Sequence, residues 1–144
     1  MGKVTLVCGP PCSGKSTWVR EHAKPGDLVV DFDEIAHKLG SPSRHDHPPR
    51  VRNKVRLIRA MQESTAARHP GDAWIIRTLP DGADRRAVAQ RLNARTVVLA
   101  PPVEDGLARA RADGRPAWTA QAIRDWWDRY TPDGQGDGDG GAVG

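Results

Sequence analysis

The chain has 144 residues, 38% hydrophobic and 28% charged, with a net charge of +4, enough for one domain with a real core and too short for two ordinary ones. The segment from Asp133 onward carries three aspartates and no base, so the residues before it hold +7, a bias that suits anionic partners such as nucleotides or nucleic acid and equally a basic solvated surface. The sequence offers no apolar run near the ~20 residues that span a bilayer, no signal-peptide pattern in "MGKVTLVCGP" and no disulfide framework in two cysteines four positions apart, which excludes membrane-spanning and disulfide-stapled classes and implies a cytoplasmic setting.

In chain order, "KVTLVC" (3–8) is a short β-branched run that ends at glycine and reads as a buried strand. "KSTWVREHA" follows as a helix, stopped by Lys24-Pro25-Gly26. "DLVVDF" is a second strand, and "DEIAHKLG" a short helix ending at Gly40. The prolines of "SPSRHDHPPR" set a turn-rich loop. From Val51 to about Arg68 the pattern is helical, with Val51, Val55, Ile58 and Met61 or Gln62 on the apolar side. "DAWIIRTL" is a third strand, "DGADRRAVAQRL" a helix with aspartates near its start, and "RTVVLA" a fourth strand closed by Pro101-Pro102. "VEDGLARARADG" and "TAQAIRDWWDRY" are the last two helices. Residues 133–144 are too rich in glycine and aspartate to order themselves, so the expected division is a domain over 1–132 and a disordered tail.

Strands that alternate with helices imply a parallel sheet of about four strands covered on both faces, a three-layer α/β architecture. In such sheets ligands sit beyond the carboxyl ends of the strands. Those ends are Gly9 onward, Asp31–Asp33, Arg77–Thr78 and Ala100–Pro102.

Gly9, Gly14, Lys15 and Ser16 fit G-x-x-x-x-G-K-[ST] between a predicted strand and a predicted helix, the context a phosphate-binding P-loop requires. Glycines let the backbone bend around an anion, successive N–H groups point inward, and the helix N-terminus adds its dipole. Lys15 supplies a point charge for the β- and γ-phosphates of ATP, and the Ser16 hydroxyl a ligand for Mg2+. Pro10, Pro11, Cys12, Ser13 and Thr17 complete the cradle. A glycine turn with an exposed lysine is the bland alternative, and it leaves the other residue choices unexplained. Cys8 reads as a small buried strand residue. Cys12 near Lys15 is either inert or a thiol of lowered pKa. His45 and His47, alternating in the proline loop, read as solvated rather than metal-ligating.

Phosphoryl transfer asks for positioning, charge neutralisation and a group that orients the nucleophile. Asp31 and Asp33 alternate on the extended strand and so share a side, Asp33 as base and Asp31 as a partner of metal-bound water; alternatively Asp33 is only the N-cap of "EIAHKL". Arg109, Arg111 and Arg115 flank Gly114 in a segment that could close over a nucleotide. Arg109 and Arg111 cannot both face one site, being two apart on a helix. Arg52, Arg56 and Arg59 share a helix face, either tracking a nucleic-acid backbone or simply solvated. Of Trp126 and Trp127 only one can face the core.

The run "GPPCSGKSTWVRE" with "VVDFDE" after it resembles the 5′-kinase domain of bacteriophage polynucleotide kinase and, more broadly, zeta-toxin and adenylate-kinase-like P-loop phosphotransferases. "WIIRTLPDGADRR" resembles that family's third strand and following turn, and "LARARADGRPAWTAQAIRDWWDRY" its arginine-bearing lid and last helix. The resemblance spans most of residues 3–130. It implies a P-loop kinase fold and an enzyme that moves the γ-phosphate of ATP, with Mg2+, to a hydroxyl acceptor at a polynucleotide 5′ end. Asp33 matches the aspartate that takes the proton from that hydroxyl, and Lys15 and Ser16 the phosphate and magnesium contacts. Two departures concern the acceptor. The family has an acid at the end of its third strand where this chain reads Arg77, which suits an acceptor phosphate, and its substrate-binding arginine after the base is replaced by Ala36. A kinase of a nucleoside, nucleotide or other small metabolite, and an ATP-binding regulatory or assembly protein with little turnover, are the alternatives. Neither the acceptor nor the oligomeric state follows from the sequence.

Overall fold

The computed structural model describes residues 2–132 and the backbone of 142–143. Its sheet has the order β2-β3-β1-β4-β5, every pair parallel. The strands are β1 (Val4–Cys8), β2 (Leu28–Val30), β3 (Ala73–Arg77), β4 (Arg95–Leu99) and the two-residue β5 (Ala142–Val143). Helices α1 (Lys15–His22), α2 (Phe32–Lys38), α3 (Pro49–Thr65), α4 (Gly82–Leu92), α5 (Val103–Ala112) and α6 (Thr119–Arg129) fill the connections. The tail expected to be unstructured lies outside the described residues, apart from Ala142 and Val143, whose backbone pairs with Val98 and Leu99. Among the described residues no helix is long and apolar enough to cross a membrane.

Both faces of the sheet are buried, and the pleat sorts the strand residues between them. Val4, Leu6 and Cys8 of β1 and Ala73 and Ile75 of β3 pack with Ile35, Val55 and Leu92 from α2, α3 and α4. Val7, Trp74, Ile76, Val97 and Leu99 point the other way, onto Trp18 and Val19 of α1. The sandwich of helices around a parallel sheet is therefore the three-layer α/β architecture read from the sequence. Trp126 is the inward member of its pair, 3% exposed, and its indole donates to Thr78 O at 2.7 Å.

Two boundaries differ from expectation, and both bear on the site. β2 stops at Val30, because Asp31 caps α2 and accepts from Asp33 N at 3.1 Å; Asp33 is thus a first-turn helical residue and neither a strand residue nor the cap. Helix α3 starts two residues early, with Pro49 in its first turn, where a missing N–H costs nothing.

Val51, Val55 and Ile58 of α3 pack on the core as expected, and of Met61 or Gln62 it is Gln62 that is half-buried, Met61 being 66% exposed; the helix also turns Arg59 and Glu63 inward. Glu63 is 4% exposed and accepts from Arg77 Nη1 at 3.2 and 3.0 Å and from Arg91 Nη2 at 3.4 Å, with Arg59 Nε at 4.0 Å. Removing the acid strands arginines in a half-buried place, and breaking such a pair costs about 3–5 kcal/mol. Glu63→Ala is accordingly expected to lower the melting temperature by roughly 10 °C or more, read by thermal unfolding; a change within about 2 °C would show that solvent already screens the cluster.

Candidate active site

Residues 9–14 leave the carboxyl end of central β1 and turn back into α1. A Cβ added to Gly9 would lie 2.3 Å from Leu99 O and 2.6 Å from Ser13 Oγ, so β4 leaves no room for a side chain there. Gly14, with φ 89°, sits in the left-handed region that glycine tolerates, and Cys12 joins it at φ 61°. Gly14 is the N-cap of α1 and provides no side-chain cap, which leaves first-turn N–H groups for an anion. The Cys12 thiol is not activated: burial pushes its pKa up, against a smaller opposing pull from Arg115.

Lys15 is folded back onto the loop. Its Nζ donates to Gly9 O at 2.8 Å and Pro10 O at 2.7 Å, with Ser13 Oγ at 3.5 Å. The residue as a whole is half-buried, but the loop encloses its amine, and that burial pushes the pKa down to about 8. One turn on, Ser16 Oγ donates to Asp31 Oδ2 at 3.0 Å. Asp31 is half-buried; burial raises its carboxyl pKa, and the Ser16 bond opposes this. A hydroxyl and a carboxylate at this distance are the hard oxygen donors that suit magnesium, an ion held by one or two protein oxygens, substrate phosphates and water. Among the described residues no three His, Cys, Asp or Glu side chains are grouped to cage a metal.

Asp33 follows in the first turn of α2, its backbone tied to Asp31 and its side chain 41% exposed. Its carboxylate is held by the proline loop: His47 Nε2 lies 2.7 Å from Oδ1 and His45 Nδ1 2.9 Å from Oδ2. The two histidines are therefore not solvated, as their sequence setting suggested. The loop folds over α2 and delivers them to the acid, with Ser41 Oγ 2.6 Å from His47 Nδ1 behind.

The arginines divide. Arg109 Nη1 reaches over the loop to Cys12 O at 3.3 Å. Arg115 is near enough to lower the pKa values of both Cys12 and Lys15, and among the described residues its buried Nε has no hydrogen-bond partner. Arg111 is exposed and, among the described residues, makes no such contact. The structure thus brings Lys15, Ser16, Asp31, Asp33, Arg109 and Arg115 to one end of the sheet. Arg77 is placed there too, level with Cys8, but Glu63 holds it, and its neighbour Arg59 lies 5.6 Å over the Phe32 ring. Burial and Arg77 both push the Arg59 pKa down. Arg52 and Arg56 are exposed on the same helix as Arg59, and Arg56 Nη1 donates to Asn53 Oδ1 at 3.1 Å. Arg85 of the arginine pair after β3 is structural: it is 1% exposed and donates to Leu79 O and Pro80 O at 2.9 and 2.8 Å.

A P-loop between a central parallel strand and a helix, in a sheet covered on both faces, defines an α/β protein with the P-loop kinase fold. Within that class the chain belongs to the AAA domain family, whose profile matches residues 4–132. Among curated proteins none matches it in sequence. The tunicamycin resistance protein of Deinococcus radiodurans is similar at 18% identity and TM-score 0.55, over 90% of this chain and 80% of that one. Shikimate kinase from Acinetobacter baumannii, solved with shikimate, is similar at 24% and 0.52, over 88% and 74%. A chain of the Pnkp1/Rnl/Hen1 RNA repair complex gives 16% and 0.61, over 90% of this chain but 46% of that one. At these identities the likeness is one of fold.

Proposed function

We propose that the protein is an ATP-dependent kinase that transfers the γ-phosphate to a hydroxyl, with the 5′ end of a polynucleotide as acceptor. The observation that carries the reading is the Ser16–Asp31 bond of 3.0 Å, which puts a P-loop hydroxyl beside a carboxylate whose next-but-one neighbour is Asp33. Lys15 exchanges its loop carbonyls for phosphate oxygens, and Arg109 and Arg115, both beside the loop, add positive charge for the transferred group. Ser16 and Asp31 would hold magnesium, which when bound neutralises charge on the β- and γ-phosphates. Asp33 takes the acceptor's proton. The polynucleotide acceptor is supported by Arg52 and Arg56, exposed along α3 toward Arg59, because cationic side chains in a row suit a chain of phosphates.

Radiolabelled ATP offered with a 5′-hydroxyl oligonucleotide, nucleosides, nucleotides and small hydroxy acids tests this directly. Label on the oligonucleotide is the expected result. Label on a small acceptor alone would replace the polynucleotide, and label on none would make the chain a nucleotide-binding module.

The lowered pKa of Lys15 adds a pH dependence. Below about 8 the amine is protonated before ATP arrives. Above it, binding must first recapture a proton, since the phosphates hold the cation. Affinity for ATP is thus expected to be flat from pH 6.5 to 7.5 and to fall above about pH 8, by up to about tenfold per unit. Nucleotide titrations across that range measure it; affinity unchanged to pH 9.5 would place the Lys15 charge outside the binding step.

A further inference from the structure

The two histidines on Asp33 are unequal. His47 is 2% exposed at its side chain and is satisfied at both ring nitrogens, by Asp33 Oδ1 at 2.7 Å and Ser41 Oγ at 2.6 Å, with Ser41 itself buried. An ionised carboxylate only accepts, so His47 Nε2 is the donor to Oδ1, and Nδ1 is left to pair with the Ser41 hydroxyl. Moving this ring would leave buried polar atoms without partners, a change that costs the whole desolvation of each. Phe32, whose ring centre lies 6.1 Å from that of His47, backs it on a further side. His45 differs: it is 19% exposed, and among the described residues its ring is engaged at Nδ1 alone, 2.9 Å from Oδ2. Water can replace that bond if the ring swings out.

Asp33 therefore has one committed oxygen and one exchangeable oxygen. We infer that His47 is a positioning residue that fixes the Asp33 carboxylate through Oδ1, and that His45 occupies Oδ2 until the acceptor hydroxyl displaces it. This rests on the reading of Asp33 as the proton acceptor of a kinase. In the step so described, the acceptor O–H breaks as its oxygen bonds to the γ-phosphorus, the bond from phosphorus to ADP breaks, and the proton settles on Oδ2. His45 Nδ1–H and the incoming hydroxyl compete for one atom, so the two histidines should govern different constants.

Steady-state kinetics with the full chain, saturating ATP·Mg and whichever acceptor the parent labels separates them. His47→Ala is expected to lower kcat about 10- to 100-fold, the scale of a misplaced reacting group, and His47→Gln, which keeps an amide donor near the Nε2 position, to recover most of it. His45→Ala is expected to lower the acceptor KM about 3- to 10-fold, the net scale of one ordinary hydrogen bond that water can replace, and His45→Asn, which keeps a donor near Nδ1, to retain the parent KM. ATP binding by each variant checks its fold. Should His47→Ala fail that check, Ser41→Ala decides, since it leaves the ring and removes only its anchor; a kcat several-fold below the parent is expected. With an active parent, equal kcat in parent, His47→Ala and Ser41→Ala, or a raised acceptor KM in His45→Ala, overturns this inference and leaves the kinase reading standing. A parent that labels no acceptor overturns both.

Discussion

Lys15→Ala is expected to abolish phosphoryl transfer, with kcat lower by about 10³-fold or more, on the scale of losing a preorganised charge from a developing transition state. Lys15 is the cation of the P-loop, and no neighbour takes its place. Arg109 is engaged with Cys12 O across the loop, and Arg115, near enough to lower the Lys15 pKa, faces Asp113 Oδ2 at 3.9 Å. The variant should nevertheless fold. Its cost is the loss of one donor to the carbonyls of Gly9 and Pro10, and it also removes a cation whose burial lowers its pKa to about 8. On the proposed function, the expected signature is therefore loss of transfer with a parent-like melting temperature and weakened ATP binding. Transfer at the parent rate would remove the loop from the chemistry, whereas a dead variant that is also unfolded would make Lys15 a structural residue.

What the sequence made legible, and what it hid, follow one division. Local rules located the P-loop and the strands β1 to β4, though not the two-residue β5, because a β-branched run ending at glycine and a G-K-S turn draw their meaning from adjacent residues. Residues whose partners lie far along the chain stayed hidden. Glu63 stands at a helical position that an apolar pattern passes over, since the compensating Arg77 and Arg91 come from β3 and α4. His45 and His47 read as solvated because nothing in "SPSRHDHPPR" says that the loop folds onto α2; the alternation of histidine around Asp46 was the available signal. The capping role went to Asp31 rather than Asp33 for a local reason: the strand ends one residue before the acid. Among the lid arginines the helical period allowed Arg109 or Arg111, and packing over Cys12 favours Arg109.

Asp33→Asn carries the other large effect and separates a kinase from a nucleotide binder. The amide keeps the size of the acid and can still accept from His47 at one oxygen, so the buried His47 anchor holds the proline loop although the His45 bond is given up. What it cannot do is take a proton from an acceptor hydroxyl. General-base contributions run about 10²–10⁴-fold, and transfer should fall on that scale. Affinity for ATP·Mg should change little, because Lys15, Ser16 and Asp31 are untouched and the cap bond to Asp33 uses its backbone N–H. Asp31→Asn is the informative contrast. Asparagine caps helices about as well as aspartate, so α2 should persist, while the carboxylate beside Ser16 is lost and the magnesium requirement should rise. A rate deficit in Asp31→Asn that added magnesium relieves, beside one in Asp33→Asn that it does not, assigns the metal to one acid and the proton to the other. Equal relief in both would place Asp33 on the metal as well. An Asp33→Asn enzyme as fast as its parent would leave this carboxylate with only a structural role, holding the histidine loop on α2.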